Sequence, residues 1–185
     1  MTLDTRPDAS EFNPYYSRYI SLVPGGSILA TLREGSSRTT NLFSSITEEQ
    51  ASFRYAPDKW TIKQMFGHII DTERIFAYRA LRISRNDTTP IEGFEQDDYV
   101  SNGPFDRCAL ADLLDEYSAV RNATVLLFSN LTAEGWSRRG VANRNEISVR
   151  ALAYIIAGHE THHCQVLREK YLPSLHETGK SVGKS

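Results

Sequence analysis

The stretch from Leu152 to Tyr171 constrains the fold more strongly than any other part of the sequence. Its apolar residues recur at the spacing of one helix face, about 100° per residue, and they are Leu152, Ile155, Ile156, Val166 and Leu167. His159 and His163 fall near the centre of that face, where a bundle helix normally carries Leu or Ile. Because an imidazole buried without partners is costly, two such rings one turn apart indicate a specific role for both.

The pair His159 and His163 favours a metal site. Residues i and i+4 are neighbours on a helix surface, and neutral imidazole is a good ligand for zinc, nickel, iron and copper. The pair also satisfies the bare pattern His159-Glu160-x-x-His163 of zinc metalloproteases, in which the glutamate is the general base. A structural alternative is that both histidines lie in the core and bind buried carbonyl groups. The pattern alone does not decide between a metal site, that of a protease included, and a structural role for both histidines.

Length and composition exclude several classes of function. The 185 residues are enough for one domain with a single core, and 21 basic against 23 acidic residues without a basic run argue against a nucleic-acid partner. We expect no membrane association, since no apolar stretch spans a bilayer and the first residues lack a secretory signal. Cys108 and Cys164 are the only cysteines, which fits a reducing cytoplasm, and Cys164 is expected to pack rather than to bind metal.

Four segments carry helical periodicity, and three of them have clear start signals. We predict helices over about residues 28–46, 61–85, 106–131 and 148–171. Thr61 with Gln64 forms a capping box, and Asp106 and Ser148 are expected to cap the third and fourth helices. The predicted fold class is therefore all-α, a four-helix bundle around one core.

The segments between and outside these helices define the predicted domain organisation. Residues 86–105 lack periodicity and indicate a long crossover between helices two and three, or a functional loop, and residues 136–147 indicate a loop or an irregular hairpin. Of the acids in the crossover, one or two could overhang a site. We expect an N-terminal arm over 1–24 that wraps the domain or a partner subunit, the bundle over 25–172, and a flexible C-terminal tail over 173–185.

Helix two carries further candidate site residues. His68 lies on the border of its apolar stripe and could supply a third ligand, although a border histidine bonded to water is the alternative. Three histidines would leave a coordination position for water or substrate, as in catalytic metal sites. Glu73 lies inside the stripe, where it could accept a hydrogen bond from a ligand's ring or pair with an arginine of another helix. Arg79 shares the ridge of His68 and could receive a substrate carboxylate, or lie at the surface or a dimer interface.

Helix four contains two more polar residues near the histidine pair. Glu160 points about 80° away from the apolar axis, so it could flank a metal as general base. His162 lies at the edge of the apolar face. Peptide hydrolysis is nevertheless disfavoured, because no edge strand for a peptide substrate is evident and His68 lies upstream of the pair.

The order of several motifs resembles the DinB-like superfamily. The run from Trp60 to Arg74, followed by Tyr78-Arg79-Ala80, resembles the second helix of that family, and Gly158-His159-Glu160-Thr161-His162-His163 resembles its last helix. The loop phrase from Gly93 to Asp97 is similar to the subgroup of YfiT-like metal hydrolases. The resemblance covers about residues 28–171.

This resemblance implies an up-down-down-up four-helix bundle, often a homodimer, with one divalent metal held by three histidines. Carried over to this chain, the ligands are His68, His159 and His163. His162 is not a ligand, but could contact a ligand or the substrate from outside the coordination sphere. The implied cofactors are a divalent ion (zinc, nickel, iron or manganese) and a low-molecular-weight thiol. The implied partner is a small-molecule substrate.

The family also implies the chemistry. Its members with assigned activities are mostly transferases or isomerases that use thiols such as bacillithiol or mycothiol, and others are described as hydrolases. We expect a transferase that attaches a small thiol to an electrophile, because a divalent cation deprotonates a coordinated thiol at neutral pH. The alternatives are a hydrolase with metal-activated water and a non-enzymatic metal-binding module.

Overall fold

A computed structural model of the protein describes residues 5–175. It contains the helices α1 (Ser17–Ile20), α2 (Ile28–Ser44), α3 (Glu48–Ala51), α4 (Ile62–Ser84), α5 (Gln96–Asn102), α6 (Leu110–Ser129), α7 (Ala133–Ser137) and α8 (Val149–Val166), and the strands β1 (Arg139–Ala142) and β2 (Asn145–Ser148). Three 3-10 turns, Ala9–Glu11, Pro14–Tyr16 and Phe105–Arg107, and a π-helical turn, Leu167–Tyr171, complete the elements of this part of the chain.

The four long helices α2, α4, α6 and α8 form the frame of the protein. Helices α4 and α2 each pack against both α6 and α8, so the four predicted helices do pack together. All four contribute to each of two buried apolar clusters, so the interior is divided and is not the single core that the sequence predicts. The fold is confirmed as mostly helical. The up-down-down-up order of helix directions stays a prediction. Within the described residues, no helix is both long and apolar enough to cross a membrane.

Two of the predicted helix starts are confirmed at the level of individual hydrogen bonds. Thr61 accepts from the backbone N–H of Gln64 at 3.0 Å, and the Gln64 side chain accepts in return from the Thr61 N–H at 2.9 Å. Ser148 accepts from the N–H of Ala151 at 2.9 Å. These caps satisfy backbone donors that have no partner within the first helical turn, which is why α4 and α8 begin where the sequence predicts.

The predicted cap of the third helix is wrong. Asp106 lies in a 3-10 turn, where it accepts hydrogen bonds from the Thr61 hydroxyl at 2.7 Å and from the Gln64 amide at 2.8 Å. Helix α6 begins at Leu110, and its N–H donates to a carboxylate oxygen of Glu48 at 2.8 Å. A side chain from the short helix α3, which the sequence analysis missed, therefore caps α6.

The all-α prediction needs one correction. Strands β1 and β2 form an antiparallel hairpin, the more ordered of the two alternatives for residues 136–147. Its turn residues Asn143 and Arg144 have φ angles of 48° and 63°, and two left-handed residues suit the twist of a tight hairpin. The crossover over 86–105 is also more regular than expected, since it contains α5 and forms a bridge from Ile91 to Ala142.

The N-terminal segment is folded against α8. Glu11 accepts a hydrogen bond from Ser148 at 2.7 Å and forms an ion pair with Arg150. A Cβ added at Gly158 would lie 2.0 Å from the carbonyl oxygen of Tyr19, so only glycine permits the close approach of the two backbones there. The arm thus has short helical turns that the sequence did not indicate. Of the predicted tail, residues 176–185 lie outside the described residues.

Candidate metal centre

Three histidines from two facing helices meet at one point. Nε2 of His159 lies 3.0 Å from Nε2 of His68 and 3.1 Å from Nε2 of His163. The ligand atoms of all three lie within 4.8 Å of one another. His68 comes from α4 and the other two from α8, and these helices pack against each other. The structure therefore brings together the three residues that the sequence analysis selected.

The spacing of these nitrogens fits a divalent cation. A ring nitrogen is either a donor or an acceptor in a given state, so mutual hydrogen bonds alone give no reason for all three to face one point. Ligands about 2.0–2.1 Å from a tetrahedral zinc ion stand about 3.4 Å apart. The observed separations of 3.0 and 3.1 Å are close to that value, and a set of three imidazoles suits zinc, nickel or iron.

The burial of the rings keeps them in the form that binds metal. Burial lowers the pKa of His68 to about 4. Burial, reinforced by the neighbouring histidines, also lowers the pKa values of His159 and His163 well below the usual 6.5. All three imidazoles are therefore neutral at pH 7. A cation need not compete with protons for the ligands there.

Residues around the cluster hold the rings in place. The Thr72 hydroxyl lies 3.4 Å from Nδ1 of His68, which favours the ring orientation that turns Nε2 towards the cluster. The Trp60 ring packs on His68 at a centroid distance of 4.8 Å, and Tyr19 packs edge-on against His159 at 5.3 Å. The i, i+4 spacing of His68 and Thr72 could have identified Thr72 from the sequence, whereas the position of Tyr19 depends on how the N-terminal segment packs.

A cavity of about 450 Å³ opens beside His68 and His159. Thr72, Phe76 and Arg79 of α4 continue its wall away from the histidines. The other walls come from the N-terminal segment, the crossover and the hairpin. Their lining residues are Asn13, Tyr15, Tyr16, Tyr19, Phe94, Glu95, Gln96, Asp97, Ala142, Asn143 and Asn145. The crossover and the arm are thus part of the candidate site, and Glu95 and Asp97 are the acids of the crossover that line it.

Glu73 lies in an ion-pair network and not beside the histidines. Arg121 of α6 donates to its two carboxylate oxygens at 2.8 and 2.7 Å. Of the two alternatives predicted for Glu73, the structure therefore has the pairing with an arginine from another helix. Arg121 was not among the predicted site residues, although its position four residues after Tyr117 and seven before Phe128 places it on the apolar stripe of α6.

Glu160 belongs to the same network, which contradicts its expected position beside the metal. One carboxylate oxygen lies 2.7 Å from Nη1 of Arg121, and the other accepts from the Tyr117 hydroxyl at 2.6 Å and also from Thr39. The buried arginine attracts both carboxylates because each would otherwise be buried without a counter-charge. Glu160 is therefore not positioned as the general base of a metalloprotease.

Two other predicted residues have different surroundings. His162 packs against the rings of Tyr19 and His163 and lies outside the group of three convergent nitrogens. Arg79 is only 2% exposed and lines the cavity. The expectation that Arg79 lies at the surface is therefore wrong, because its guanidinium is covered by the crossover and the N-terminal segment.

Comparison with known proteins places these features in a family. The sequence profile of the DinB superfamily matches residues 31–167. YfiT from Bacillus subtilis, described as a probable metal-dependent hydrolase with an unusual four-helix bundle topology, superposes with a TM-score of 0.71 at 15% identity, covering 95% of this chain and 94% of that one. A mycothiol-dependent maleylpyruvate isomerase has a TM-score of 0.64 at 10% identity over 75% of this chain and 58% of that protein. No curated protein matches in sequence. At these identities the structural similarity establishes the fold alone.

Proposed function

Because this chain belongs to the DinB superfamily, we propose that it is a metal-dependent enzyme that transfers a low-molecular-weight thiol to a small electrophile. The observation that carries the proposal is the convergence of three neutral imidazoles, two of which, His68 and His159, line an open cavity. The mycothiol dependence of an isomerase with the same fold supports thiol chemistry in this scaffold.

The roles of the residues follow from their positions. His68, His159 and His163 would hold the cation, and Thr72 would keep the His68 ring turned towards it. When bound, a divalent cation lowers the pKa of a coordinated thiol or water and so supplies a nucleophile at neutral pH. The cavity lies within the usual volume range of small-molecule sites, about 300–1,000 Å³, and its aromatic walls suit the apolar part of a substrate.

Hydrolysis by activated water is the second candidate. It is favoured by the similarity to YfiT, which extends over 94% of that chain, whereas the isomerase is matched over 58%. The same three histidines and the same cavity would serve both reactions. Peptide hydrolysis is not proposed, because both oxygens of Glu160 are bound within the arginine network.

The first experiment measures metal content. Protein purified without affinity nickel is analysed by mass spectrometry, and we expect about one divalent ion per chain. His163→Ala should lose most of it, whereas His162→Ala, the matched control on the adjacent residue, should retain it. Equal metal content in the two variants would contradict the assignment of the ligands.

The second experiment identifies the reaction. Metal-loaded protein is screened with several small thiols against generic electrophiles, and loss of free thiol is followed beside the hydrolysis of small esters and amides. Thiol loss that requires the metal supports the transferase. Metal-dependent hydrolysis without thiol loss supports the hydrolase, and absence of both from a fully loaded protein supports a non-enzymatic metal-binding module.

We further propose that the enzyme is a cytoplasmic homodimer. Its chain would divide into an N-terminal arm (1–24), the helical bundle (25–172) and a C-terminal tail (173–185). The resemblance to dimeric family members supports the assembly, and the exposed Tyr78 and Leu81 of α4 offer an apolar contact. Both cysteines are free, as expected in a reducing compartment.

A further inference from the structure

Arg79 lines the cavity without a carboxylate partner. Its Nη2 donates to the backbone carbonyl of Glu92 at 3.0 Å, while its Nε has no hydrogen-bond partner. Within residues 5–175, that Nε is the single buried side-chain nitrogen or oxygen that lacks a hydrogen-bond partner. No Asp or Glu of this part of the chain forms an ion pair with Arg79. A buried polar atom without a partner needs an explanation.

The other buried arginines show what this protein normally does with a guanidinium. Arg121 lies between two glutamates, and Arg150 is paired with Glu11. Burial of a cation without a counter-charge is costly, and the fold avoids that cost at both of these positions. The missing charge partner of Arg79, at the wall of an open cavity, is therefore the signature of a residue whose counter-ion arrives with a ligand.

The surroundings of Arg79 strengthen its interaction with an anion. The guanidinium carbon lies 5.3 Å from the centroid of the Phe76 ring and 5.9 Å from that of Phe94, and the Tyr16 ring packs edge-on against Phe76. These rings exclude water, and charge pairing is stronger where the local dielectric constant is low. Glu95 and Asp97 also line the cavity, but both are exposed, so water and salt screen their repulsion of an anion.

The distance between Arg79 and the histidines restricts the shape of the ligand. Arg79 follows His68 by eleven residues on the same helix, which corresponds to about 16 Å along the axis. Both side chains lean towards the helix N-terminus, so a gap of about 10–16 Å separates the guanidinium from the cluster. A small electrophile cannot reach both ends, but an elongated molecule can.

We propose that Arg79 binds the carboxylate at one end of an elongated ligand whose reactive group lies at the three histidines. The position of the reactive group rests on the proposed function, whereas the anion site does not require a metal. A carboxylate is favoured over a phosphate dianion because one arginine is the only cation described in this wall, and the Glu92 carbonyl beside it would repel a second negative charge.

The anion site is tested first in metal-free protein. Binding of octanoate and of octanol, which share the chain length but differ in charge, is measured by calorimetry. We expect octanoate to bind about tenfold to a hundredfold more tightly, the range of a hydrogen bond to a charged group. Arg79→Met keeps the apolar stem and should abolish this preference, and Arg79→Lys should keep part of it. The control Arg85→Gln, at the exposed residue directly after the end of α4, should keep all of it.

Three outcomes would overturn the proposal. The first is equal affinity of the wild type for octanoate and octanol. The second is a preference for octanoate that survives in Arg79→Met. The third is tighter binding of octyl phosphate than of octanoate. If Arg79→Met does not fold, the comparison of Arg79→Lys with Arg85→Gln tests the role of Arg79. Lysine keeps the positive charge but lacks the planar guanidinium with two parallel donors, so Arg79→Lys should lose at least part of the preference for octanoate.

The shape of the ligand is tested with cobalt-loaded protein, in which a thiolate bound to the metal produces a charge-transfer absorption band. Mercaptoundecanoic acid spans more than 10 Å at about 1.2 Å per bond, whereas mercaptopropionic acid does not. Mercaptoundecanoic acid should bind more tightly than the mercapto-alcohol of equal length, and Arg79→Met should remove this difference. Mercaptopropionic acid and its corresponding alcohol should bind equally in both proteins. If no thiol changes the spectrum, the proposed function fails, while the octanoate measurement still decides the role of Arg79.

Discussion

Replacing Arg121 by methionine tests whether the buried ion network holds the bundle together. Arg121 is 1% exposed and contacts both Glu73 and Glu160, each 3% exposed, as well as the Leu32 carbonyl at 3.0 Å. The network occupies the space beside Gly35, because a Cβ at that position would lie only 2.9 Å from a carboxylate oxygen of Glu160. Methionine fills most of the volume of the arginine stem but leaves two buried carboxylates without a cation.

The expected loss of stability is large. Removal of one partner of a buried ion pair typically costs about 3–5 kcal/mol. For a chain of this size each kcal/mol lowers the melting temperature by about 2–4 °C, so Arg121→Met should melt about 6–20 °C below the wild type. Calorimetry and urea unfolding measure both quantities.

Two further variants separate this mechanism from a simple packing defect. Combining Arg121→Met with Glu73→Leu and Glu160→Gln removes the stranded charges and should recover most of the lost stability. Arg74→Met removes ion pairs with Glu116 and Asp71 at the surface, where Arg74 is exposed, and should cost less than about 1 kcal/mol. An Arg121→Met protein that melts within 2 °C, roughly 1 kcal/mol, of the wild type would refute the reasoning, as would a triple variant no more stable than the single one.

Three other predictions concern the parts that shape the site. Gly158→Ala should destabilise the fold by about 1–3 kcal/mol, because the added methyl group meets backbone 2.0 Å away; thermal melting measures this. Burial, the largest single influence, raises the pKa of Glu11, but the hydrogen bonds from Arg150, Ser148 and the Asp8 N–H together with the charge of Arg150 outweigh it, so the pKa lies below the usual 4.5. The stabilisation lost in Glu11→Gln, about 1.5–3 kcal/mol, should therefore be fully present above about pH 4.5 and fall as the pH drops through the lower native pKa, as seen in unfolding curves at several pH values. Thr72→Val should weaken metal binding about tenfold by releasing His68, as measured by competition with a chelator.

The controls for these predictions are equally specific. Gly25→Ala adds the same methyl group where no atom lies within 4 Å, and should not change the melting temperature. Thr72→Ser keeps the hydroxyl and should keep the metal affinity. A stability difference between wild type and Glu11→Gln that grows as the pH falls below 4.5 would contradict the assignment of a lowered pKa.

The sequence determined the features that depend on local geometry. The apolar periodicity located α2, α4, α6 and α8, and the caps at Thr61 and Ser148 involve residues only three positions apart. The proximity of His159 and His163 followed from one helical turn. Because the helix fixes the spacing of such neighbours, these features could be predicted without knowledge of the tertiary structure.

Tertiary packing decided the rest of the site. It turned His68 towards α8, placed Glu160 on Arg121 instead of beside the histidines, and buried Arg79 under residues distant in the chain. In each case, several positions were compatible with the sequence pattern, since a polar residue near an apolar stripe can face a seam, a partner or solvent. Only the packing of α4, α6, α8 and the N-terminal segment selects among them, because the contacts that satisfy each buried charge join residues far apart in the sequence.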